Sequence, residues 1–223
     1  MKALILGDIH GEFDAADEVI RIAVEAHPDI THIFQVGDLG DGWPGSERWN
    51  PKTTLPIHWL DGNHENHDLL EVEDFNPRLT YQPRGSLLEI DGYRLLWLGG
   101  ATSIDKAHRT PHVSWWPQES IKRRDVEMAL SHSGTIDAVL SHDRPEIAPT
   151  PKDFHLLPDG LSDRMALQAI HDEFQPRFWA YGHYHYAFHD HAEGTEFVTC
   201  PAIDMMHQDY MIWDGVDMTF SWK

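Results

Sequence analysis

The chain has 223 residues, of which 41% are hydrophobic and 24% are charged, and this composition predicts one folded globular core. Its 37 acidic residues outnumber its 17 lysines and arginines, so the formal net charge is -20. Such a surface would repel a nucleic acid backbone, and we expect no duplex nucleic acid partner. No apolar run reaches the roughly 20 residues of a membrane helix, so we expect no membrane contact. The single cysteine, Cys200, agrees with a reducing, cytoplasmic location.

The first third of the chain alternates strand and helix patterns. The apolar run from Lys2 to Leu6 predicts a strand, and the spacing of apolar residues from Phe13 to Ala26 predicts a helix. Two further apolar runs, Thr31 to Val36 and Leu55 to Leu60, predict the next two strands. This order indicates a βαβ unit followed by one more strand, as in an α/β fold.

The rest of the chain predicts a second sheet with helices. The predicted elements are, in chain order, a hairpin over 86–98, a helix over 118–130, a strand over 136–140, a helix over 163–174, a strand over 177–181 and antiparallel strands over 186–222. No linker or internal repeat divides the chain, so we expect a single domain over residues 1–223. Three segments rich in proline and glycine, 40–54, 101–117 and 143–162, are interpreted as rims of a binding site or as plain surface loops.

Five short polar clusters follow predicted strands. They are Gly7-Asp8-Ile9-His10, Gly37-Asp38, Gly62-Asn63-His64-Glu65, Ser141-His142 and Gly182-His183-Tyr184-His185. Any one cluster could be a capping turn or a pair of residues on one strand face. Because ligands gather at the carboxyl ends of strands in an open α/β sheet, the ordered set favours one shared site. Its oxygen and imidazole groups suit first-row divalent metals.

The ordered set GDIH, GD, GNHE, SH and GHYH resembles the signature of the calcineurin-like metallophosphoesterases, over Asp8 to His185. The resemblance implies an α/β fold of the four-layer αββα type, with two mixed sheets and flanking helices. It also implies two divalent ions, drawn from manganese, iron, zinc, nickel and cobalt, with manganese favoured. The implied reaction is hydrolysis of a phosphate ester, in which a hydroxide between the metals attacks phosphorus in line.

The resemblance assigns roles residue by residue. One metal would take Asp8, His10, Asp38 and His185, and the other would take Asp38, Asn63, His142 and His183. The carboxylate of Asp38 would then bridge both ions. His64 would protonate the leaving group, and Asp41 would orient His64, although Asp41 could also be a turn residue of its glycine-rich loop. Glu65 and His67 are interpreted as residues at the start of a helix.

The substrate class follows from departures from the protein-phosphatase pattern. That branch has an arginine where this chain has Gly42, and the GHYH motif is typical of phosphodiesterases and small phosphatases. We expect a phosphodiesterase that acts on a small or nucleotide-like substrate. The alternatives are a phosphomonoesterase or serine/threonine protein phosphatase, and a scaffold with this fold but no productive metal centre. The scaffold is disfavoured because all seven ligands and His64 are present.

Several loop residues are candidates for substrate contact. Lys106, Arg109 and Arg144 could bind phosphate in place of the missing arginine, or could be solvated surface charges. Four tryptophans could stack on a nucleobase or could simply pack, and they are Trp43, Trp49, Trp115 and Trp116. The sequence carries no signal for the oligomeric state.

Overall fold

A computed structural model describes residues 1–40, 48–70, 76–152, 156, 158–203 and 210–215. Its helices are α1 (Phe13–Ala26), α2 (Arg123–Leu130) and α3 (Leu161–Phe174). Its strands are β1 (Lys2–Leu6), β2 (His32–Val36), β3 (Ile57–Leu60), β4 (Leu79–Tyr81), β5 (Ser86–Ile90), β6 (Tyr93–Leu98), β7 (Ala138–Ser141), β8 (Phe178–Tyr181), β9 (Phe188–Ala192), β10 (Thr195–Thr199) and β11 (Met211–Asp214).

The strands form two mixed sheets. The first sheet has the order β11-β1-β2-β3-β4, and the second has the order β5-β6-β7-β8-β10-β9. In the first sheet β1 to β4 are parallel, and β11 runs antiparallel to β1. In the second sheet the four central strands are parallel, and the edge strands β5 and β9 run antiparallel to them.

Apolar side chains fill three layers between these elements. Val19 and Ile20 of α1 pack against the outer face of the first sheet. Phe34 and Trp97 lie between the two sheets, and Leu167 of α3 packs with residues of the second sheet. Each fully buried large side chain contributes about 1.5 to 3 kcal/mol. The four-layer sandwich of two mixed sheets with flanking helices is therefore confirmed.

Three elements differ from the sequence prediction. The short strand β4 was not predicted, and α2 begins at Arg123, where the Asp125 carboxylate accepts the backbone N–H of the preceding Lys122 at 2.9 Å. The tail does not form one antiparallel group, since β10 pairs in parallel with β8 and β11 joins the first sheet. A strand pattern specifies which face is buried but not which strand lies beside it.

None of the helices in the described residues has the length and apolar character that crossing a bilayer requires.

Candidate metal centre and catalytic cavity

The five polar clusters meet at one edge of the two sheets, beyond the ends of β1, β2, β3, β7 and β8. Asp8, His10, Asp38 and His185 each offer one ligand atom, and these atoms all lie within 4.8 Å of one another. His10 Nε2 lies 3.1 Å from His185 Nε2. His185 Nε2 in turn lies 3.4 Å from Asp8 Oδ1. These are the four residues that the family resemblance assigns to one metal.

A second group lies on the other side of Asp38. His142 Nε2 is 3.4 Å from Asp38 Oδ1 and 3.1 Å from Asn63 Oδ1. The ring of His183 lies 5.1 Å from the ring of His142. Since Asp38 Oδ2 faces His10 at 3.7 Å, its two oxygens point to different groups. The structure thus brings all seven predicted ligands together, while their assignment to particular ions stays a prediction.

The backbone at this edge adopts unusual conformations. His10, Asp38, His183 and His185 have positive φ angles of 49°, 55°, 68° and 58°. Such conformations cost of order 1 to 3 kcal/mol in a residue other than glycine, and they persist at functional sites when the surroundings fix them. Gly62 allows the close approach of two loops, because a Cβ there would collide with the Asp38 carboxylate. The strained backbone conformation of these four residues directs their side chains into the site.

Hydrogen bonds outside the centre orient the ligands. His142 Nδ1 donates to the Val36 carbonyl at 2.8 Å, which leaves Nε2 to face the site. Asn63 Nδ2 donates to Ser103 Oγ at 3.0 Å, so Asn63 Oδ1 faces inward. Ser103 Oγ donates to Glu119 Oε2 at 2.6 Å and is itself held. Outer partners of this kind fix the tautomer and direction of metal ligands.

The donor set fits divalent metal ions. Asp8 and Asp38 are two buried carboxylates, and buried negative charges require a positive partner. Burial alone would raise the pKa of Asp38, but the adjacent His142 outweighs burial and lowers that pKa well below its usual value. Carboxylate and amide oxygens together with imidazole nitrogens suit first-row divalent ions.

Tyr184 joins the two loops that carry the histidines. It lies between His183 and His185, and its hydroxyl donates to Asp143 Oδ1 at 2.5 Å. Asp143 is buried and directly follows His142. The Tyr184 hydroxyl therefore ties the strained GHYH loop to the end of β7.

We expect Tyr184→Phe to weaken metal binding about 10 to 100-fold, the usual effect of losing an outer hydrogen bond to a metal site. The phenyl ring keeps the packing, but the buried Asp143 loses a donor, so the free energy of unfolding should also fall by about 1 to 3 kcal/mol, and affinity is compared on protein shown to be folded. Isothermal titration of the metal-free protein with Mn²⁺ measures the affinity, and Tyr186→Phe is a matched control. Equal affinity in wild type and Tyr184→Phe would contradict this role.

Glu65 has a structural role that differs from the sequence prediction. No helix starts in the described residues around Glu65 and His67, so that interpretation was wrong. The buried Glu65 carboxylate accepts the N–H of Leu39 at 2.6 Å, that of Gly40 at 3.3 Å and that of Gly62. It joins the loop after β2 to the loop after β3. Burial, followed by the nearby Asp38 charge, raises the pKa of Glu65 to about 8.

We expect Glu65→Ala to lower the free energy of unfolding by about 3 kcal/mol, because three buried N–H groups would lose their acceptor. Chemical denaturation in the presence of a chelator measures this loss apart from any change in metal affinity. Glu65→Gln retains one acceptor oxygen and should lose less. If alanine and wild type unfold at the same denaturant concentration, the carboxylate does not hold the two loops.

A cavity of about 580 Å³ opens beside the centre. Its lining residues are Asp38, Asn63, His64, Thr102, Ile104, Asp105, Arg109, Asp143, Leu156, Gly160, Arg164, His183, Tyr184 and His185. The backbone N–H of His64 donates to Asp38 Oδ1 at 2.7 Å, and this bond fixes His64 beside the predicted ligands. Burial, and then the charge of Arg109, lowers the pKa of His64 to about 4.

The two predicted phosphate-binding arginines lie in different surroundings. Arg109 lines the cavity, with Nη2 2.7 Å from His64 Nε2. Arg144 is buried outside the cavity lining, because its guanidinium donates to the carbonyls of Pro145 at 3.2 Å and Glu146 at 2.9 Å. We therefore no longer expect Arg144 to contact substrate. Arg164 of α3 lines the cavity instead, and its position in an ordinary helical pattern carried no signal.

The described tryptophans pack rather than line the cavity. Trp49 is buried and stacks on Phe13, with ring centroids 5.6 Å apart. Trp116 is buried and donates from Nε1 to Asp68 at 2.9 Å. Neither they nor Trp115 belong to the cavity lining. Asp41, Gly42 and Trp43, which the sequence also singled out, lie outside the described residues.

Comparison with known protein families identifies the family of this chain. Residues 1–187 match the calcineurin-like phosphoesterase family, which is more than half of the chain. The chain belongs to the calcineurin-like phosphoesterase family. As a member of that family, this phosphoesterase is a metal-dependent hydrolase of phosphate esters, and its family uses divalent metal ions. Among curated proteins, none matches its sequence significantly.

Solved structures share the fold at low sequence identity. TT1561 of Thermus thermophilus is 12% identical with a TM-score of 0.62, and the match covers 99% of this chain and 98% of that one. A dimetal phosphatase from Danio rerio is 12% identical with a TM-score of 0.54, covering 95% and 91%. The phosphopantetheinyl hydrolase of Mycobacterium tuberculosis is 13% identical with a TM-score of 0.52, covering 90% and 89%. At such low identities, these similarities show only that the proteins share the fold of this calcineurin-like phosphoesterase.

Proposed function

We propose that this phosphoesterase is a phosphodiesterase that hydrolyses a small substrate bound in the cavity. The seven predicted ligands would hold two divalent ions, with manganese favoured. Bound ions of this kind supply an activated water and neutralise charge on the phosphoryl oxygens. We also propose a single domain over residues 1–223, because β11, beyond the family match, completes the first sheet. The single cysteine supports a cytoplasmic location, and the net charge of -20 disfavours a duplex nucleic acid partner.

The size of the cavity supports a small substrate. Its volume of about 580 Å³ lies within the range of about 300 to 1,000 Å³ that is usual for small-molecule sites. The loop that carries Ile104 and Arg109 lines one part of it, and Gly160 with Arg164 lines another. A folded phosphoprotein would have to insert an extended segment between these walls. A free small ester enters without that requirement.

The ion pairs of the two cavity arginines favour a diester substrate over a monoester. Arg109 Nε lies 2.8 Å from Asp105 Oδ1, and Arg164 Nε lies 2.8 Å from Glu146 Oε2. Each guanidinium is thus already balanced by a carboxylate. A monoester dianion would bring an additional charged oxygen to these balanced pairs, whereas a diester monoanion has two non-bridging oxygens for the two ions.

The chain's own residues would position the ester and supply a proton. Asn63 would contribute a neutral oxygen to the centre, which would leave the bound ions cationic enough to attract phosphate. His64 lies next to Asn63 and lines the cavity, where its imidazole would reach the departing oxygen. One observation favours a second candidate, a phosphomonoesterase: Arg109 Nη2 approaches His64 Nε2 to 2.7 Å and could grip a third phosphoryl oxygen.

We expect kcat/KM for methyl p-nitrophenyl phosphate to exceed that for p-nitrophenyl phosphate by about tenfold or more, with Mn²⁺ in both assays. The two substrates share one leaving group, so the ratio reports the charge and substitution at phosphorus. A 2',3'-cyclic nucleotide and a phosphopeptide extend the comparison. A tenfold preference for the monoester or the phosphopeptide would exclude the diester proposal, and metal-loaded protein without turnover of any ester would favour the scaffold.

A further inference from the structure

Ile104 is an exposed aliphatic side chain in the wall of the catalytic cavity. It retains 59% of its accessible surface, which is the largest value among the exposed large hydrophobic residues in the described part of the chain. A single exposed isoleucine is ordinary on a protein surface. This one differs because it lines the cavity that contains His64 and Asp38.

The loop around Ile104 is held on both sides by the catalytic residues. On one side Ser103 Oγ accepts from Asn63 Nδ2 at 3.0 Å. On the other side Arg109 Nη2 lies 2.7 Å from His64 Nε2. The backbone N–H of Ser103 also donates to the buried Glu119 at 2.9 Å. Hydrogen bonds thus hold the segment around Ile104 against the site where the ester would react. Ile104 is exposed even though the segment that carries it is held in place.

A second aliphatic side chain, Leu156, lies in the cavity lining and is half-buried. Among the described lining residues the one large aromatic ring other than histidine belongs to Tyr184, whose hydroxyl is bound to Asp143 at 2.5 Å. A base gains most of its binding free energy by stacking on an aromatic ring, which neither Ile104 nor Leu156 offers. The groups beside Ile104 are instead the paired charges of Asp105 and Arg109, 2.8 Å apart.

We infer that the organic group on the substrate phosphate is an aliphatic chain that packs against Ile104 and Leu156. This inference rests on the proposed diesterase, whose cavity it uses. The ester places its phosphate at the seven clustered ligands and its chain along the aliphatic wall, so that binding removes Ile104 from water. An alkyl phosphodiester is the substrate class that fits.

The test compares three p-nitrophenyl phosphodiesters whose second ester group is methyl, n-hexyl or 5'-thymidyl, using the full chain loaded with Mn²⁺. We expect kcat/KM for the hexyl ester to exceed that of each of the other two about tenfold, the discrimination that a small number of methylene contacts gives. In Ile104→Ser the ratio of hexyl to methyl should fall by about half its logarithm or more, and what remains reports the contact with Leu156. Val113→Ser is the matched control, because Val113 lies on the same loop, is 54% exposed and does not line the cavity.

A binding measurement separates this inference from the diesterase proposal. Calorimetric Kd values for n-hexylphosphonate and methylphosphonate report the aliphatic contact whether or not any diester is turned over. If monoesters are preferred but hexylphosphonate still binds about tenfold more tightly than methylphosphonate, only the diesterase proposal fails. A preference for the thymidyl ester, or equal hexyl to methyl ratios in wild type and Ile104→Ser, overturns the aliphatic substrate.

Discussion

Asp38→Ala is expected to remove both metal ions from the protein. The two carboxylate oxygens of Asp38 face different groups of ligands, at 3.7 Å from His10 Nε2 and 3.4 Å from His142 Nε2. A substitution that deletes both oxygens therefore damages both coordination spheres. The loss of affinity should exceed the roughly 10 to 100-fold effect of an outer residue. Elemental analysis after exhaustive dialysis against metal-free buffer gives the ion content per chain.

His142→Ala provides the comparison. His142 contacts the group that contains Asn63, at 3.1 Å, and its loss should mainly weaken one ion. Asp38→Asn controls for the shape of the buried side chain, since it keeps the volume and removes the charge. Circular dichroism must show the same secondary structure in all three variants. Two tightly bound ions in folded Asp38→Ala would refute the bridging role and with it the ligand assignment.

The ligand cluster could be predicted because its information is local. Each motif lies at or just beyond the end of a strand, and the parallel strands bring their carboxyl ends to the same edge. The pattern GDIH, for instance, already contains two residues, Asp8 and His10, that meet within one ligand group. No long-range pairing had to be known for this prediction.

The features that the sequence missed depend on contacts between distant segments. The role of Glu65 is visible only when the N–H groups of Leu39 and Gly62 come from two different loops. Arg164 lines the cavity because α3 packs behind the loop after β7, which helical periodicity does not encode. The pairing of β11 with β1 likewise joins segments about 200 residues apart. Local patterns predict which elements form, and tertiary packing decides what they approach.

The loops also show why a charged residue cannot be assigned from its position alone. Arg109 and Arg144 both lie in irregular segments near the predicted site. Asp105 pairs with Arg109 and keeps it in the cavity wall, at 2.8 Å, whereas two peptide carbonyls hold Arg144 away from that wall. The difference arises from backbone conformation, which the residue types do not specify.

His64→Ala is expected to retain both metals and to lose about 10² to 10⁴ in turnover of an ester with a poor leaving group. The imidazole lines the cavity beside Asn63 but would not itself be a ligand. The metal content of His64→Ala should therefore match that of wild type in elemental analysis. Steady-state kinetics with an alkyl and a p-nitrophenyl ester of the same phosphate measure the two losses.

The dependence on leaving group decides between two roles for His64. An alkoxide needs a proton as it departs, whereas p-nitrophenolate departs without one, so loss of a general acid should harm the p-nitrophenyl ester much less. Burial and Arg109 lower the pKa of His64 to about 4, which opposes the acid role at neutral pH. A bound phosphate ester brings negative charge beside the imidazole and raises that pKa again. Equal losses on the two esters would remove the proton-donor role and would leave His64, with Arg109 at 2.7 Å, as a residue that positions the phosphate.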